Sequence, residues 1–346
     1  MASPGKQHAR WLRKHAAQLV ALVLVLGVFG LVLPRVADYG AVWRVISQLS
    51  PGYLALLAGA ALLNLLTFAP PWQAALPGLS FRNALVMSQA STAAANVLPG
   101  GDAIGIAVSY SMLRRWGFRL EQVAIATGAF SVWNQIANVS FAVVGVGLLA
   151  LGGESNALLT PAALIGAVVL VAMLVVLAAV LRDERGALRV GALAERVANR
   201  LLALVRRPAR TGWDERLVTF RDEAIGLIRR RWLGLTLATL AGHLTVFLVL
   251  FISLRAIGVP ASDVSFVEVF AAWALIRIIT TIPVTPGGLG VVELGLTGAL
   301  VSFGGSQVDV VAGVLLYRAL TYVPPIAFGG VCLLVWRRVG GGAVSS

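Results

Sequence analysis

The sequence has few of the residues that build disulfides, metal centres or charged surfaces. Its 346 residues include one cysteine, Cys332, and three widely separated histidines, His8, His15 and His243. An internal disulfide is therefore excluded, and no Cys/His cluster has the spacing of a zinc or iron–sulfur site. We expect neither a metal nor a cofactor. Charged residues make up only 12% of the chain, which excludes an ordinary soluble domain.

Long hydrophobic runs take the place of the missing charge. Hydrophobic residues make up 58% of the sequence, and the mean hydropathy is +0.87. Unbroken Leu, Val and Ala runs are incompatible with the short alternating strands of a membrane barrel. The sequence therefore predicts an all-α polytopic membrane protein.

Six runs are long enough to cross about 30 Å of hydrocarbon at about 1.5 Å per residue. They are residues 16–33, 51–69, 123–151, 161–181, 232–254 and 308–336. We expect the first run to be a retained signal anchor, because a poor cleavage site follows it. Pro324-Pro325 interrupts the last run, and each side alone is too short to span, so one kinked helix is predicted there.

Two further regions are apolar but broken by a Pro-Gly-Gly sequence. Residues 83–98 and 102–116 flank Pro99-Gly100-Gly101, and residues 266–282 and 289–303 flank a break that ends in Pro286-Gly287-Gly288. Each arm is short for a crossing, and the breaks stop a helix from continuing. Their polar Ser, Thr and Asn residues indicate arms that line protein or a cavity. We predict two re-entrant helical hairpins.

The basic residues orient this layout. With both termini in the cytoplasm, 23 of the 28 Lys and Arg residues lie on the inner side, as the positive-inside rule requires. The first hairpin then enters from the cytoplasm and the second from outside. Inverted repeats of this kind place a transport site near the midplane. We expect a multi-pass protein of the bacterial cytoplasmic membrane.

The same layout predicts the domain organisation. Residues 1–50 hold the basic tail, the anchor and an external segment; residues 51–181 form the first membrane repeat, with its hairpin around residues 80–118. Residues 182–231 are a basic cytoplasmic linker, either a solvated connector or a helix lying along the anionic leaflet. Residues 232–338 form the second repeat, with its hairpin around residues 264–304, and residues 339–346 a flexible tail. No aromatic-interleaved basic motif suggests nucleic-acid binding.

The Pro-Gly-Gly breaks favour anions. A helix that begins inside the membrane after Gly100-Gly101 or Gly287-Gly288 leaves backbone N–H groups without partners, and the helix dipole adds positive charge there. A lipid phosphate is thus a candidate ligand of both breaks. The alternative is that they are simple tight turns, with Asp102 as an ordinary N-cap.

Two cations lie at membrane depth, Arg277 and Arg318. Such residues face protein or a polar cavity and are candidates for substrate binding. Alternatively, they form structural pairs with Glu268 or Glu293. The carboxylates Asp102 and Glu293 would pair with these arginines or carry a coupling proton. For His243 we expect a hydrogen bond between helices rather than a proton relay.

Two segments of the second half carry a recognisable motif: residues 284–293 read Val-Thr-Pro-Gly-Gly-Leu-Gly-Val-Val-Glu, and residues 316–324 read Leu-Tyr-Arg-Ala-Leu-Thr-Tyr-Val-Pro. Together they resemble the signature of the lysylphosphatidylglycerol synthase transmembrane family, also called flippase-like domain proteins. Residues 96–102 look like its first-half counterpart. The resemblance covers roughly residues 43–338. Two departures are the missing soluble aminoacyl-transferase, so that synthesis of lysyl lipid is not implied, and Ser131 and Asn134, where a more charged pattern is expected.

The resemblance implies translocation of a lipid. Together with the buried arginines it favours passage of an anionic phospholipid or lipid-linked head group between leaflets, with membrane lipid as the partner. The main alternative is a non-catalytic partner subunit of a lipid or glycan synthase. A membrane enzyme and a small-solute or ion transporter are further alternatives. We expect no enzymatic activity, because no nucleophile–base pair, nucleotide loop or catalytic carboxylate pair is recognisable.

Overall fold

The structure is a computed structural model that describes residues 47–97, 101–152, 159–182, 196, 199, 213–280 and 285–338. Every regular element in this part of the chain is helical, which confirms the all-α prediction. The anchor predicted at residues 16–33 and most of the basic linker lie outside the described residues.

The first half of the described chain contains helices α1 to α6. The hydroxyl of Ser50 caps α1 by accepting a hydrogen bond from the Tyr53 N–H, and Pro51 occupies the first helical position, where its missing N–H costs nothing. Gly117, with φ +90°, turns the chain between α4 and α5. The helices are α1 (Pro51–Leu66), α2 (Pro70–Ala75), α3 (Phe81–Val97), α4 (Gly101–Arg115), α5 (Leu120–Leu151) and α6 (Leu159–Arg182).

The second half contains helices α7 to α10. Gly258, with φ +105°, follows the end of α7. Ser265 and Glu268 form a reciprocal capping box that begins α8. The elements are α7 (Trp213–Ile257), α8 (Phe266–Ile279), a 3₁₀ turn (Pro286–Gly288), α9 (Val291–Ser302) and α10 (Gln307–Arg338).

Among the described residues, four helical segments are long and apolar enough to cross a membrane. They are Pro51–Ala75, Leu120–Leu151, Ile225–Ile257 and Gln307–Trp336. Shorter apolar helical stretches are Gly166–Ala179 and Val291–Ser302. The segments agree with four of the six predicted runs, and the run at residues 161–181 lies within α6. The chain is an integral membrane protein.

Helix α7 differs in extent from the apolar run that predicted it, whereas α10 agrees with its run. Helix α7 begins at Trp213, well inside the predicted linker, because no proline interrupts residues 213–231 and their Leu, Arg and Glu residues have high helix propensity. Helix α10 continues through Pro324 and Pro325 as one element, as predicted for this run.

The larger of the two core clusters among the described residues lies between α1, α5, α7, α8, α9 and α10. An aromatic group at its centre joins three of these helices: the ring centroids of Phe141 in α5 and Trp273 in α8 lie 5.3 Å apart, and those of Phe247 in α7 and Phe270 in α8 lie 5.2 Å apart. Edge-to-face arrangements of this kind add to the packing energy. This group fixes α8, which carries Arg277, against α5.

Helices α3 and α4 form the first hairpin. Gly105 in α4 allows the contact, because a Cβ there would lie 2.9 Å from the carbonyl oxygen of Ser91. Helix α10 packs on the other side of α3, where a Cβ at Gly329 would overlap the carbonyl oxygen of Gln89. Small residues thus permit close approach on both faces of α3.

Helices α8 and α9 form the second hairpin, joined through residues 280–290. They have 14 and 12 residues, or about 21 and 18 Å at about 1.5 Å per residue, which is less than the hydrocarbon thickness. Gly295 in α9 lies against the side chain of Ile276 in α8. The two short arms therefore pack side by side, and the turn between them meets Tyr322 of α10 and Asn96 of α3 at Gly287.

Candidate functional site

A cavity of about 640 Å³ lies between the two hairpins and α5. Helices α2, α3, α4, α5, α8, α9 and α10 and the turn at Pro286–Gly288 contribute its walls. Many residues of the lining carry hydroxyl or amide groups: Ser88, Ser91, Thr92, Asn96, Ser109, Thr127, Ser131, Asn134, Gln135, Asn138, Thr280 and Thr285. Polar side chains at this depth in a membrane protein face protein or a polar path rather than lipid, as predicted for the hairpin arms.

Arg318 ties the second hairpin to α10. Its Nε donates to Glu293 Oε1 at 2.7 Å, and its Nη2 donates to the carbonyl oxygen of Gly287 at 2.9 Å. The Glu293 side chain is 1% exposed and that of Arg318 is 13% exposed. The other carboxylate oxygen of Glu293 accepts from the Gly290 N–H at 2.7 Å. Each member of this buried ion pair therefore also has a hydrogen bond to the backbone between Gly287 and Gly290.

The glycines of the second break adopt conformations that L side chains rarely take. Gly287 has φ +58° and Gly288 has φ +66°. A Cβ at Gly287 would also overlap the ring of Tyr322 and lie 2.9 Å from Asn96 Oδ1. The Gly288 N–H donates to the Thr285 carbonyl oxygen, so this N–H group is already used inside the turn.

Tyr322 connects the second break to the first hairpin. Its hydroxyl donates to the carbonyl oxygen of Asn96, in the last turn of α3, at 2.8 Å. The guanidinium of Arg318 lies over the Tyr322 ring, 5.0 Å from its centroid. The turn at Pro286–Gly288 thus meets the end of α3, three residues before Gly100. Gly100 itself lies outside the described residues.

Arg277 has a different environment from Arg318. Its Nε donates to Asn138 Oδ1 at 3.0 Å, and Asn138 Nδ2 in turn donates to Gln135 Oε1 at 3.2 Å. The guanidinium lies over the Trp273 ring, 5.3 Å from its centroid. Within the described part of the chain, no carboxylate lies within 4.0 Å of Arg277, and its terminal nitrogens have no hydrogen-bond partner. Arg277 lines the cavity, and no described carboxylate neutralises it there.

His243 forms the predicted bond between helices. Its Nε2 lies 2.9 Å from Asn134 Oδ1, so that α7 and α5 are joined across the core. The residue is 5% exposed and lies beside the ring of Phe141. Through these contacts His243 stabilises the position of α5, the helix that also carries Asn138.

A family model for the lysylphosphatidylglycerol synthase TM region matches residues 18–329. The chain belongs to this family. A search of curated proteins finds no match. The matched range includes both hairpins and every residue of the cavity lining. Membership of the lysylphosphatidylglycerol synthase transmembrane family associates the chain with membrane lipids.

The cavity brings together several of the residues singled out in the sequence. Arg277, Arg318, Gly287 and Gly288 line it, and Glu293 lies behind Arg318 as its ion-pair partner. The first break, Pro99-Gly100-Gly101, contributes fewer described residues to the cavity. Gly101 begins α4, where a Cβ would overlap the carbonyl oxygen of Ala95; Gly100 and the side chain of Asp102 lie outside the described positions. Among the described residues, no group of three His, Cys, Asp or Glu could hold a metal ion.

Three contributions to the site were not predicted from the family signature or from charge. Asn138 is the partner of Arg277, Tyr322 joins the two hairpins, and Trp273 lies under the Arg277 guanidinium. The repeat of Asn134, Gln135 and Asn138 at helical spacing was a usable signal for the first. Tyr322 lies within the family signature, but a tyrosine at the middle of a membrane helix gives no pairing partner from sequence alone.

Proposed function

We propose that the protein moves an anionic phospholipid, or a lipid-linked anionic head group, between the leaflets of the bacterial cytoplasmic membrane. The observation that supports this function is Arg277, a cation without a carboxylate among the described residues, on the wall of a polar cavity. An uncompensated charge at membrane depth is unfavourable. A lipid phosphate entering the cavity would supply the missing anion.

The cavity suits a head group rather than a whole lipid. Acyl chains lose little by remaining in the bilayer, so the protein needs to lower only the cost of removing the polar head group from water. Hydroxyl and amide groups along α3, α5 and α8 replace part of that hydration. The terminal nitrogens of Arg277 would bind phosphate oxygens, an arrangement in which guanidinium is stronger than a neutral donor.

The two arginines differ in the partners that they already have, and we assign them different roles. Arg318 already has Glu293 and the Gly287 carbonyl as partners, which is the structural pairing considered as the alternative for this residue. We therefore assign the phosphate to Arg277 and a holding role to Arg318. A role for Glu293 in proton coupling requires transient loss of this pair. No catalytic step is part of the proposal.

The proposed path also needs inverted, re-entrant hairpins. Short arms in α8 and α9, together with the contact of the second break with Asn96, support this arrangement. It puts Glu121 on the cytoplasmic side and Asp263 outside. Both residues are exposed.

Cysteine labelling tests the topology. Single cysteines at Glu121→Cys and Asp263→Cys, in a Cys332→Ala background, are treated in intact cells with an impermeant maleimide. We expect labelling at position 263 and protection at position 121 until the membrane is opened, because the Arg114–Arg119 region obeys the positive-inside rule. The reverse pattern would refute the inverted layout.

Reconstitution tests the transport function. Purified protein in vesicles that contain fluorescent phosphatidylglycerol should speed its movement between leaflets, as measured by quenching from outside. Arg277→Gln should lower the rate about tenfold or more, since a hydrogen bond to a charged group contributes about 1.5–3 kcal/mol. Arg277→Lys should also be slow, because the bond to Asn138 and the planar fork are lost.

Arg82→Gln is the matched control. It removes one positive charge from the exposed start of α3, away from the cavity lining, and should leave the rate unchanged. Gel filtration checks that each variant is folded. Unchanged lipid movement in folded Arg277→Gln would remove the phosphate role and favour a partner subunit of a lipid or glycan synthase instead.

A further inference from the structure

The chemistry of the cavity wall narrows the class of head group, and this inference rests on the proposed function. The charges of Arg318 and Glu293 cancel, since the two side chains are 2.7 Å apart. Arg277 is then the only uncompensated charge on the described lining. The described lining therefore has a net charge of one positive unit and favours a ligand with one negative charge.

The described lining offers no carboxylate to a second, cationic group. No Asp or Glu is among the residues whose described side chains line the cavity. An ammonium group on the ligand would therefore lie near the Arg277 guanidinium with no described carboxylate to pair with. Like charges brought together in this way cost several kcal/mol in protein interfaces.

The hydroxyl groups of the lining are arranged as acceptors. Those of Ser91, Thr127 and Thr280 donate their hydrogens to carbonyl oxygens of their own helices. Their lone pairs remain available to a ligand that donates O–H or N–H groups. A head group rich in hydroxyls would satisfy them without adding charge.

An aromatic pair adds an apolar surface to this wall. Trp72 and Phe130 are stacked, with their ring centroids 4.6 Å apart, and both line the cavity. The uncovered faces of this pair would contact the C–H groups of a polyol, while the polar lining would bind its oxygens. Aromatic faces also attract cations, so the preference for an uncharged head group rests on the charge of the described lining.

We propose that the preferred substrate is a lipid with a single phosphodiester and an uncharged polyhydroxyl head group, such as glycerol or a sugar-like ring. Lipids whose head group carries an amino group, including aminoacyl esters, are disfavoured. The selectivity lies at Arg277 and Asn138, because an amide at position 138 leaves the guanidinium charge uncompensated.

Native mass spectrometry of the purified protein measures this selectivity. The protein is mixed with equal amounts of phosphatidylglycerol, phosphatidylinositol, phosphatidylethanolamine and lysyl-phosphatidylglycerol. We expect the first two to bind at least about tenfold more than the last two, a ratio that corresponds to about 1.4 kcal/mol and is a lower bound on the cost of the charge contact. The inositol and glycerol arms decide between a ring and an open-chain polyol. Equal or stronger binding of the lysyl lipid would overturn the proposal.

Asn138→Asp tests the origin of the selectivity. It supplies Arg277 with a carboxylate at nearly constant size and should lower phosphatidylglycerol binding about tenfold, while Asn138→Ala, which adds no charge, should lower it less. Thermal stability in detergent confirms that both variants are folded. Equal binding by folded Asn138→Asp and Asn138→Ala would refute the charge argument.

The transport assay with the same lipids separates the two proposals. Selective binding without any movement between leaflets would refute transport and leave the head-group assignment intact. Movement of all four lipids at equal rates would support transport and overturn the head-group assignment.

Discussion

Arg277 and Arg318 occupy the same cavity but have opposite electrostatic environments. Arg318 lies against a carboxylate that is 1% exposed and against a backbone carbonyl of the second break. Arg277 has a neutral amide as partner, and the described structure gives it no carboxylate. Both residues are at membrane depth, where charge is costly.

The different environments of the two arginines predict different roles: Arg318 stabilises the fold, and Arg277 binds the ligand. Replacement of either member of a buried pair leaves an uncompensated charge, so Arg318 and Glu293 should matter for folding. Arg277 lacks such a partner, so its removal should cost little stability and affect ligand binding instead. Position in the cavity alone does not distinguish these roles.

Loss of the Glu293 carboxylate should have the largest effect on stability. Glu293→Gln leaves Arg318 buried beside a neutral group, and we expect a loss of about 3 kcal/mol in the free energy of unfolding. Unfolding in detergent by added SDS or by heat measures it. Arg277→Gln, measured in parallel, should change stability by less than about 1 kcal/mol.

A matched pair at the surface provides the control. Arg119 and Glu121 form an exposed ion pair at 3.7 Å, so Glu121→Gln should be almost neutral. The double variant Glu293→Gln with Arg318→Met should be more stable than Glu293→Gln alone, because it removes the isolated charge. A Glu293→Gln protein as stable as the parent would show that Arg318 is not held by this pair.

The second break should tolerate less change than the helix that follows it. Gly287→Ala forces an L residue to φ +58° and against the Tyr322 ring, and we expect a loss of about 2 kcal/mol. Gly298→Ala is the control: Gly298 is an exposed helical residue of α9 with no foreign atom within 4 Å, and alanine there should gain up to about 1 kcal/mol. Thermal unfolding measures the stability of both variants. Equal changes in stability for Gly287→Ala and Gly298→Ala would refute the strain argument.

Much of the fold followed from the sequence because the features that encode it are local. Apolar runs gave the long helices, and Pro-Gly-Gly breaks gave the division of each hairpin into two short arms. The capping residues Ser50 and Ser265 sit immediately before α1 and α8. The arginines were recognisable as candidates because they stand alone in apolar segments.

The pairing of these residues was not predictable to the same degree. Glu293 lies on the first turn after its break, so both Arg277 and Arg318 were possible partners from sequence. The choice depends on how α9 packs on α10, a contact between elements that no local pattern specifies. Asn138 likewise meets Arg277 from 139 positions away.

Removal of the Tyr322 hydroxyl should have the smallest effect on the free energy of unfolding, because it breaks only the hydrogen bond that joins the two hairpins. Tyr322→Phe keeps the ring near Arg318 but removes the 2.8 Å bond to the Asn96 carbonyl. Hydrogen bonds between membrane helices contribute about 0.6 kcal/mol on average, so we expect a loss of that size in SDS unfolding. Combined with Glu293→Gln, the losses should be less than additive if both hold the same turn. Strict additivity would show that the Arg318 pair and the Tyr322 link act independently.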